Sequence, residues 1–188
     1  NITLSSDSPG DLDGVSATYE LPDGWSAVNN NSALGTIQNG SYDSNSPDID
    51  LGPNSGLGRY QINLSAVSDS DVGNNDSIDI EVWSKSQPEF VDLPDTIPRS
   101  RDYFPVKVNV TDYVKDKSYE NIDTQLEITN SNFPGRIKSS NSSGIAVFNW
   151  SVKDETIGSY SIGTNTETNE NIYVEGSDIS SKLVKIQG

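Results

Sequence analysis

Apolar side chains at every second position are the feature that most constrains what this chain can fold into. Val15-Ser-Ala17-Thr-Tyr19-Glu-Leu21, Tyr60-Gln-Ile62-Asn-Leu64-Ser-Ala66 and Ile78-Asp-Ile80-Glu-Val82 alternate cleanly in the first half. Phe104-Pro-Val106-Lys-Val108-Asn-Val110, Leu126-Glu-Ile128, Ala146-Val-Phe148-Asn-Trp150-Ser-Val152 and Tyr160-Ser-Ile162 repeat the pattern, and Leu183-Val-Lys-Ile186 is expected to close a sheet. Neighbouring side chains of a strand point to opposite faces, so each run reads as a strand with one face buried and one wet. The stretches between them, such as Pro22-Asp-Gly24, Asn39-Gly40, Gly52-Pro-Asn-Ser-Gly56 and Gly73-Asn-Asn-Asp76, carry turn chemistry. No segment has the capped 3.6-residue periodicity of a three-turn helix. The expected class is all-β.

Proline marks the division. It cannot donate to a central ladder, so Ser84-Lys-Ser-Gln-Pro88, followed by Pro94 and Pro98, reads as a linker or an edge, with a boundary near residue 86. Residues 1–86 and 87–188 then form two tandem domains of six or seven short strands each, the size of an immunoglobulin-like antiparallel β-sandwich. The alternative is one larger sandwich with the Pro-rich segment crossing between its sheets.

Composition excludes several function classes. The chain has 28 acidic and 12 basic residues and a net charge of −16, which repels nucleic acid, since nucleic-acid binding needs a basic stripe. Residues 1–86 hold 13 of the acids against two bases. With no Cys there is no disulfide, thiol nucleophile or thiolate metal site; with no His the usual general base is missing too. No apolar run is long enough to span a bilayer, and no secretory leader opens the chain, so direct membrane insertion by this segment is not expected. No carboxylate pair stands out for glycoside hydrolysis, and the expectation is a non-enzyme that requires no cofactor.

Eight Asn-x-Ser/Thr acceptor triplets point to a cell exterior: Asn1, Asn30, Asn39, Asn63, Asn75, Asn109, Asn141 and Asn149. Nineteen Asn and forty Ser or Thr in 188 residues would give about four by chance. The excess is twofold, and position sharpens it. If Ile62, Leu64, Val108, Val110, Phe148 and Trp150 face cores, the period of two turns Asn63, Asn109 and Asn149 to solvent. Asn30, Asn39, Asn75 and Asn141 fall in expected loops. Covalent N-glycans are expected on these seven; Asn1 is terminal.

Two acidic clusters have the oxygen chemistry of Ca²⁺. Asp69, Asp71 and Asp76 with an Asn oxygen surround a Gly turn, and Asp7, Asp11 and Asp13 precede Gly14. Neither completes an EF-hand, and both read equally as solvated acidic turns. Of the three tryptophans, Trp25 and Trp150 are expected in cores, whereas Trp83 beside the boundary is the candidate for stacking on a sugar.

Leu21-Pro-Asp-Gly-Trp25, Leu34-Gly-Thr-Ile37-Gln-Asn-Gly40 and Gly56-Leu-Gly-Arg-Tyr60-Gln-Ile-Asn-Leu-Ser-Ala66 give the first domain its resemblance to the NEW3/CARDB-type immunoglobulin-like modules of prokaryotic exported proteins. Gly144-Ile-Ala-Val-Phe148-Asn-Trp150 before Ile157-Gly-Ser-Tyr160-Ser-Ile162 looks like the repeats of bacterial and archaeal adhesins and surface-layer proteins. Such resemblances imply scaffolding rather than chemistry. The chain is therefore expected to be a structural module of a glycosylated archaeal or bacterial surface protein, in contact with copies of itself or with neighbouring domains. The alternative is a carbohydrate-binding or adhesin module of a larger exported protein.

Overall fold

The alternating runs are strands, gathered into two compact units, Asn1–Val82 and Trp83–Gly188. The computed structural model describes residues 2–5, 9–28, 31–45, 47–51, 55–113 and 117–188; Asn1, Asp7 and Asn30, singled out above, lie outside the described residues. Among the described residues the helical content is a 3-10 turn, Glu170–Ile172. No helix among them is long and apolar enough to cross a membrane.

The first unit contains β1 (Ile2–Ser5), β2 (Leu12–Glu20), β3 (Trp25–Val28), β4 (Asn31–Ile37), β5 (Tyr42–Asn45), β6 (Asp48–Leu51), β7 (Gly58–Val67) and β8 (Gly73–Val82). Its main sheet has the order β4-β2-β7-β8, joined by antiparallel ladders, and β3–β6 and β1–β5 form two-stranded pairs. Ala17 and Tyr19 of β2, Ile62 and Leu64 of β7 and Val82 of β8 bury their side chains with Trp25 of β3, and Ile49 of β6 packs against them. Two expectations change in β8. The Gly73–Asp76 segment is the start of this strand rather than a turn, because the reversal is made earlier: the Asp71 amide donates to the Ser68 carbonyl, the Ser68 amide to the Val72 carbonyl, and Asp71 takes φ +57°. Ile78, expected inside, is 52% exposed, although it stands opposite Ile62 at 2%. Ile62 lies on β7, between β2 and β8, whereas Ile78 lies on β8, which among the described residues has one strand neighbour.

The second unit contains β9 (Ser84–Val91), β10 (Thr96–Pro98), β11 (Phe104–Asp112), β12 (Asp123–Ile128), β13 (Arg136–Ser139), β14 (Ile145–Trp150), β15 (Gly158–Thr166), β16 (Val174–Glu175) and β17 (Ser180–Gln187). One sheet runs β14-β11-β9-β16, the other β10-β17-β15-β12-β13. Val106, Val108, Val110, Phe148, Trp150, Ile122, Leu126, Ile162 and Ile186 are all at most 1% exposed. Ser84–Pro88 is not a linker. It opens β9, where Ser86 is buried and shares a hydrogen bond of 2.6 Å with Thr166 Oγ1. Proline is tolerated at position 88 because β16 pairs with Ser84 and Lys85 alone, which leaves one side of β9 at Pro88 without a strand partner.

Both units are fastened by the same device. The Tyr60 hydroxyl donates to the Gly56 carbonyl at 2.8 Å and the Tyr160 hydroxyl to the Thr156 carbonyl at 2.7 Å, each four residues upstream. A tryptophan meets each ring: Trp25 at 4.9 Å from Tyr60 and Trp150 at 5.4 Å from Tyr160, between ring centroids. The surrounding sequences match, with Gly58-x-Tyr60-x-Ile62 recurring as Gly158-x-Tyr160-x-Ile162. The tyrosine strand has equivalent neighbours in both units, in β4-β2-β7-β8 and in the β13-β12-β15-β17 part of the five-stranded sheet. Such a corner at the start of this strand is a hallmark of immunoglobulin-like sandwiches. The fold is all-β, with immunoglobulin-like units in tandem whose ladders are antiparallel except for the parallel β10–β17 and β9–β16 pairs of the second unit.

Candidate functional site

The outer face of the first unit's main sheet brings two acceptor triplets together. In the β7–β8 ladder Asn63 stands opposite Ser77, Leu64 opposite Asp76, and Ser65 opposite Asn75. Asn63-Leu-Ser65 and Asn75-Asp-Ser77 therefore lie antiparallel and in register, each Asn facing the other triplet's Ser. Thr18, Glu20, Asn63, Ser65, Asn75 and Ser77 border a depression of about 590 Å³ over these strands. Asn63 Nδ2 donates to Glu20 Oε2 at 3.1 Å. The structure corrects Asn75 from loop to strand: it belongs to the edge strand β8, and its amide donates to its neighbour's Asn74 Oδ1 at 2.9 Å.

The remaining described triplets differ in exposure. Asn39 lies exposed in the turn after β4, where its amide donates to Asp11 Oδ1 at 2.9 Å. Asn141 is exposed between β13 and β14, and its Oδ1 accepts the Ser143 and Ile145 amides at 2.9 and 3.0 Å. Asn149 is exposed on β14, an edge strand. Asn109 departs from the expectation of an open side chain. It is half-buried on β11, and its Oδ1 has no hydrogen-bond partner. The turn ending at Gly144 covers it: the Gly144 carbonyl accepts the Val110 amide, and a Cβ at Gly144 would stand 3.2 Å from that oxygen.

Of the carboxylates expected to converge, Asp7 lies outside the described residues, and the others form no metal-holding group. Among the described residues no three His, Cys, Asp or Glu side chains are grouped to hold a metal ion. Asp69 and Asp71 belong to the turn before β8, while Asp76 lies within the strand, where its Oδ1 accepts the Ser77 amide at 2.8 Å. Asp11 of the other cluster ties down the turn after β4 through the Asn39 amide, and Asp13 accepts the Thr36 hydroxyl near the end of β4. The short side chain suits this use, because it reaches a nearby amide without a long flexible stem.

Trp25 and Trp150 are buried, at 8% and 0% exposed. Trp83 is half-buried and meets Tyr173 edge-on, 5.2 Å between centroids, bordering a shallow depression of about 350 Å³ with Thr168, Glu175 and Gly176. Sequence reading missed Glu155, which is 2% exposed and accepts the Trp150 indole N–H at 2.9 Å, together with the Asn132 amide and the Ser131 hydroxyl. It also missed the paired tyrosine corners, whose signal was the recurrence of Gly-x-Tyr-x-Ile.

No family model matches the chain, and neither does any curated protein. Among solved structures it is similar to the D0-D1 domain of intimin, at 14% identity over 95% of this chain and 87% of that one, with a TM-score of 0.36. It is also similar to invasin, described as a bacterial integrin-binding protein, at 15% identity over 94% of this chain and 32% of that one, with a TM-score of 0.41. The protocadherin GammaB4 extracellular domain gives 14% identity, 92% and 26% coverage, and a TM-score of 0.40. The chain thus spans about a third of the invasin structure and a quarter of the protocadherin one.

Proposed function

We propose that the chain is a non-catalytic immunoglobulin-like module of an N-glycosylated extracellular surface protein, a component of a surface layer, filament or stalk that works through contacts with neighbouring domains and copies of itself. The observation that carries this reading is the placement of the acceptor triplets. Asn39, Asn75, Asn141 and Asn149 are exposed on turns and edge strands, while most of the buried side chains are apolar. Glycans there would hydrate the outer faces and obstruct sheet edges, which otherwise invite strand pairing with other chains. The free edge of β8 is already blunted, since Asn74 and Asp76 bond the amides of Asn75 and Ser77. Intact-mass spectrometry of the protein from the cells that make it should show carbohydrate additions; an unmodified mass throughout would remove the reading's main support.

A second reading, a carbohydrate-binding or adhesin module, is favoured by one feature, the half-buried Trp83 beside Tyr173. A glycan array probed with wild type and Trp83→Ala separates the two. Binding that the substitution abolishes favours the module, and no binding by either protein favours the scaffold.

A further inference from the structure

We propose that Asn63 and Asn75 act as one acceptor unit that carries a single glycan, on Asn75. This rests on the reading of the chain as N-glycosylated and adds a rule of occupancy to it. The register puts both Asn side chains on the outer face as diagonal neighbours, since Asn63 faces Ser77 while Asn75 faces Ser65. Diagonal neighbours in an antiparallel ladder stand about 7–8 Å apart, and adjacent strands about 4.8 Å. A substituted sugar ring with its attached chain is wider than one strand spacing. Once one Asn is modified, the carbohydrate fills the depression shared with the other and covers the hydroxyl that the second triplet must present to the transferase.

Two features choose Asn75. Transfer from a polyprenyl-phosphate-linked oligosaccharide forms a bond between Asn Nδ2 and the anomeric carbon and breaks that carbon's bond to the phosphate oxygen. The lipid phosphate leaves with the electron pair, Nδ2 gives up one proton, and nothing is oxidised or reduced. Nδ2 of Asn63 is engaged, donating to Glu20 Oε2. Its strand β7 is also held on both sides, by β2 and β8, so exposing it to an enzyme breaks two ladders. Asn75 lies near the start of β8, which has a single strand neighbour among the described residues, and peeling that end away breaks one ladder. Local opening favours segments held by fewer hydrogen bonds.

The test is glycopeptide mass spectrometry, on full chain from the cells that make it, of a fragment that spans both sites, for wild type, Asn75→Gln and Glu20→Ala/Asn75→Gln. Wild type should show one glycan, on Asn75. Asn75→Gln should lose it, and the double variant should gain occupancy at Asn63. Two glycans on one molecule, a glycan on Asn63 of wild type, or two empty sites beside an occupied Asn141 or Asn149 would each overturn the pairing rule alone. No carbohydrate on any acceptor would overturn the proposed function and the rule with it.

Discussion

The two units share a tyrosine corner but surround it differently. In the second, the sheet containing Tyr160 faces the full strand set β14-β11-β9-β16, and Trp150 is wholly buried; in the first, the sheet containing Tyr60 is accompanied, among the described residues, by two-stranded pairs, and Trp25 keeps 8% of its surface exposed. Charge divides unevenly too. Residues 1–82 hold 13 acids and one base, a net of −12, whereas 83–188 hold 15 and 11, a net of −4. A recurrent corner therefore sets which strands meet, while the amount of apolar cover and the charge outside it set how firmly they hold.

Deleting the paired tryptophans should give the largest effects. Truncating a buried Trp costs about 3–5 kcal/mol through lost burial and the cavity left behind. Trp150→Ala should fall at the top of that span and Trp25→Ala below it, read as separate shifts of the two unfolding transitions by calorimetry. Equal losses would break the contrast between the cores. Next, Glu155→Ala leaves the Asn132 amide without its acceptor and the Trp150 indole N–H with the Ser131 hydroxyl alone, at 3.2 Å, at a cost of about 1–3 kcal/mol for the orphaned group. Denaturant titration should place that loss in the second transition.

Glycines sharpen the comparison at smaller scale. Gly144 and Gly35 have nearly the same positive φ, +74° and +75°. A Cβ on Gly144 would meet the Val110 carbonyl oxygen at 2.8 Å, whereas one on Gly35 meets nothing within 4 Å. Gly35→Ala should therefore cost the left-handed backbone penalty alone, about 1–2 kcal/mol, and Gly144→Ala more. Smallest is the salt response: raising ionic strength should stabilise the first unit by less than about 1 kcal/mol and the second by less again, because screening relieves like-charge repulsion where charge is densest. Chelator should move neither transition, since among the described residues no three carboxylates are grouped to hold a metal ion.

How far the sequence could be read depends on what each inference rested on. The runs around Ile62, Val108 and Phe148 are legible because side-chain direction follows from a strand's own geometry. Ser84–Pro88 could be read only as a linker or an edge, because proline argues against a ladder donor; the edge reading holds at Pro88, though nothing local reveals that β16 leaves that side of β9 unpaired. Asp69, Asp71 and Asp76 looked like one cluster because they are close in sequence. Extended chain carries Asp76 off along β8, so proximity in number did not become proximity in space.

The alternating residues by themselves determined the strands, the faces they bury and the all-β class, since these depend on chemistry repeated every second position. Tertiary structure decided what no local pattern encodes: which strands become edges, that a turn covers Asn109, and that two acceptor triplets twelve residues apart come to face each other. Those outcomes depend on pairing register and on neighbours brought from elsewhere in the chain, and both are settled only when the sheets close.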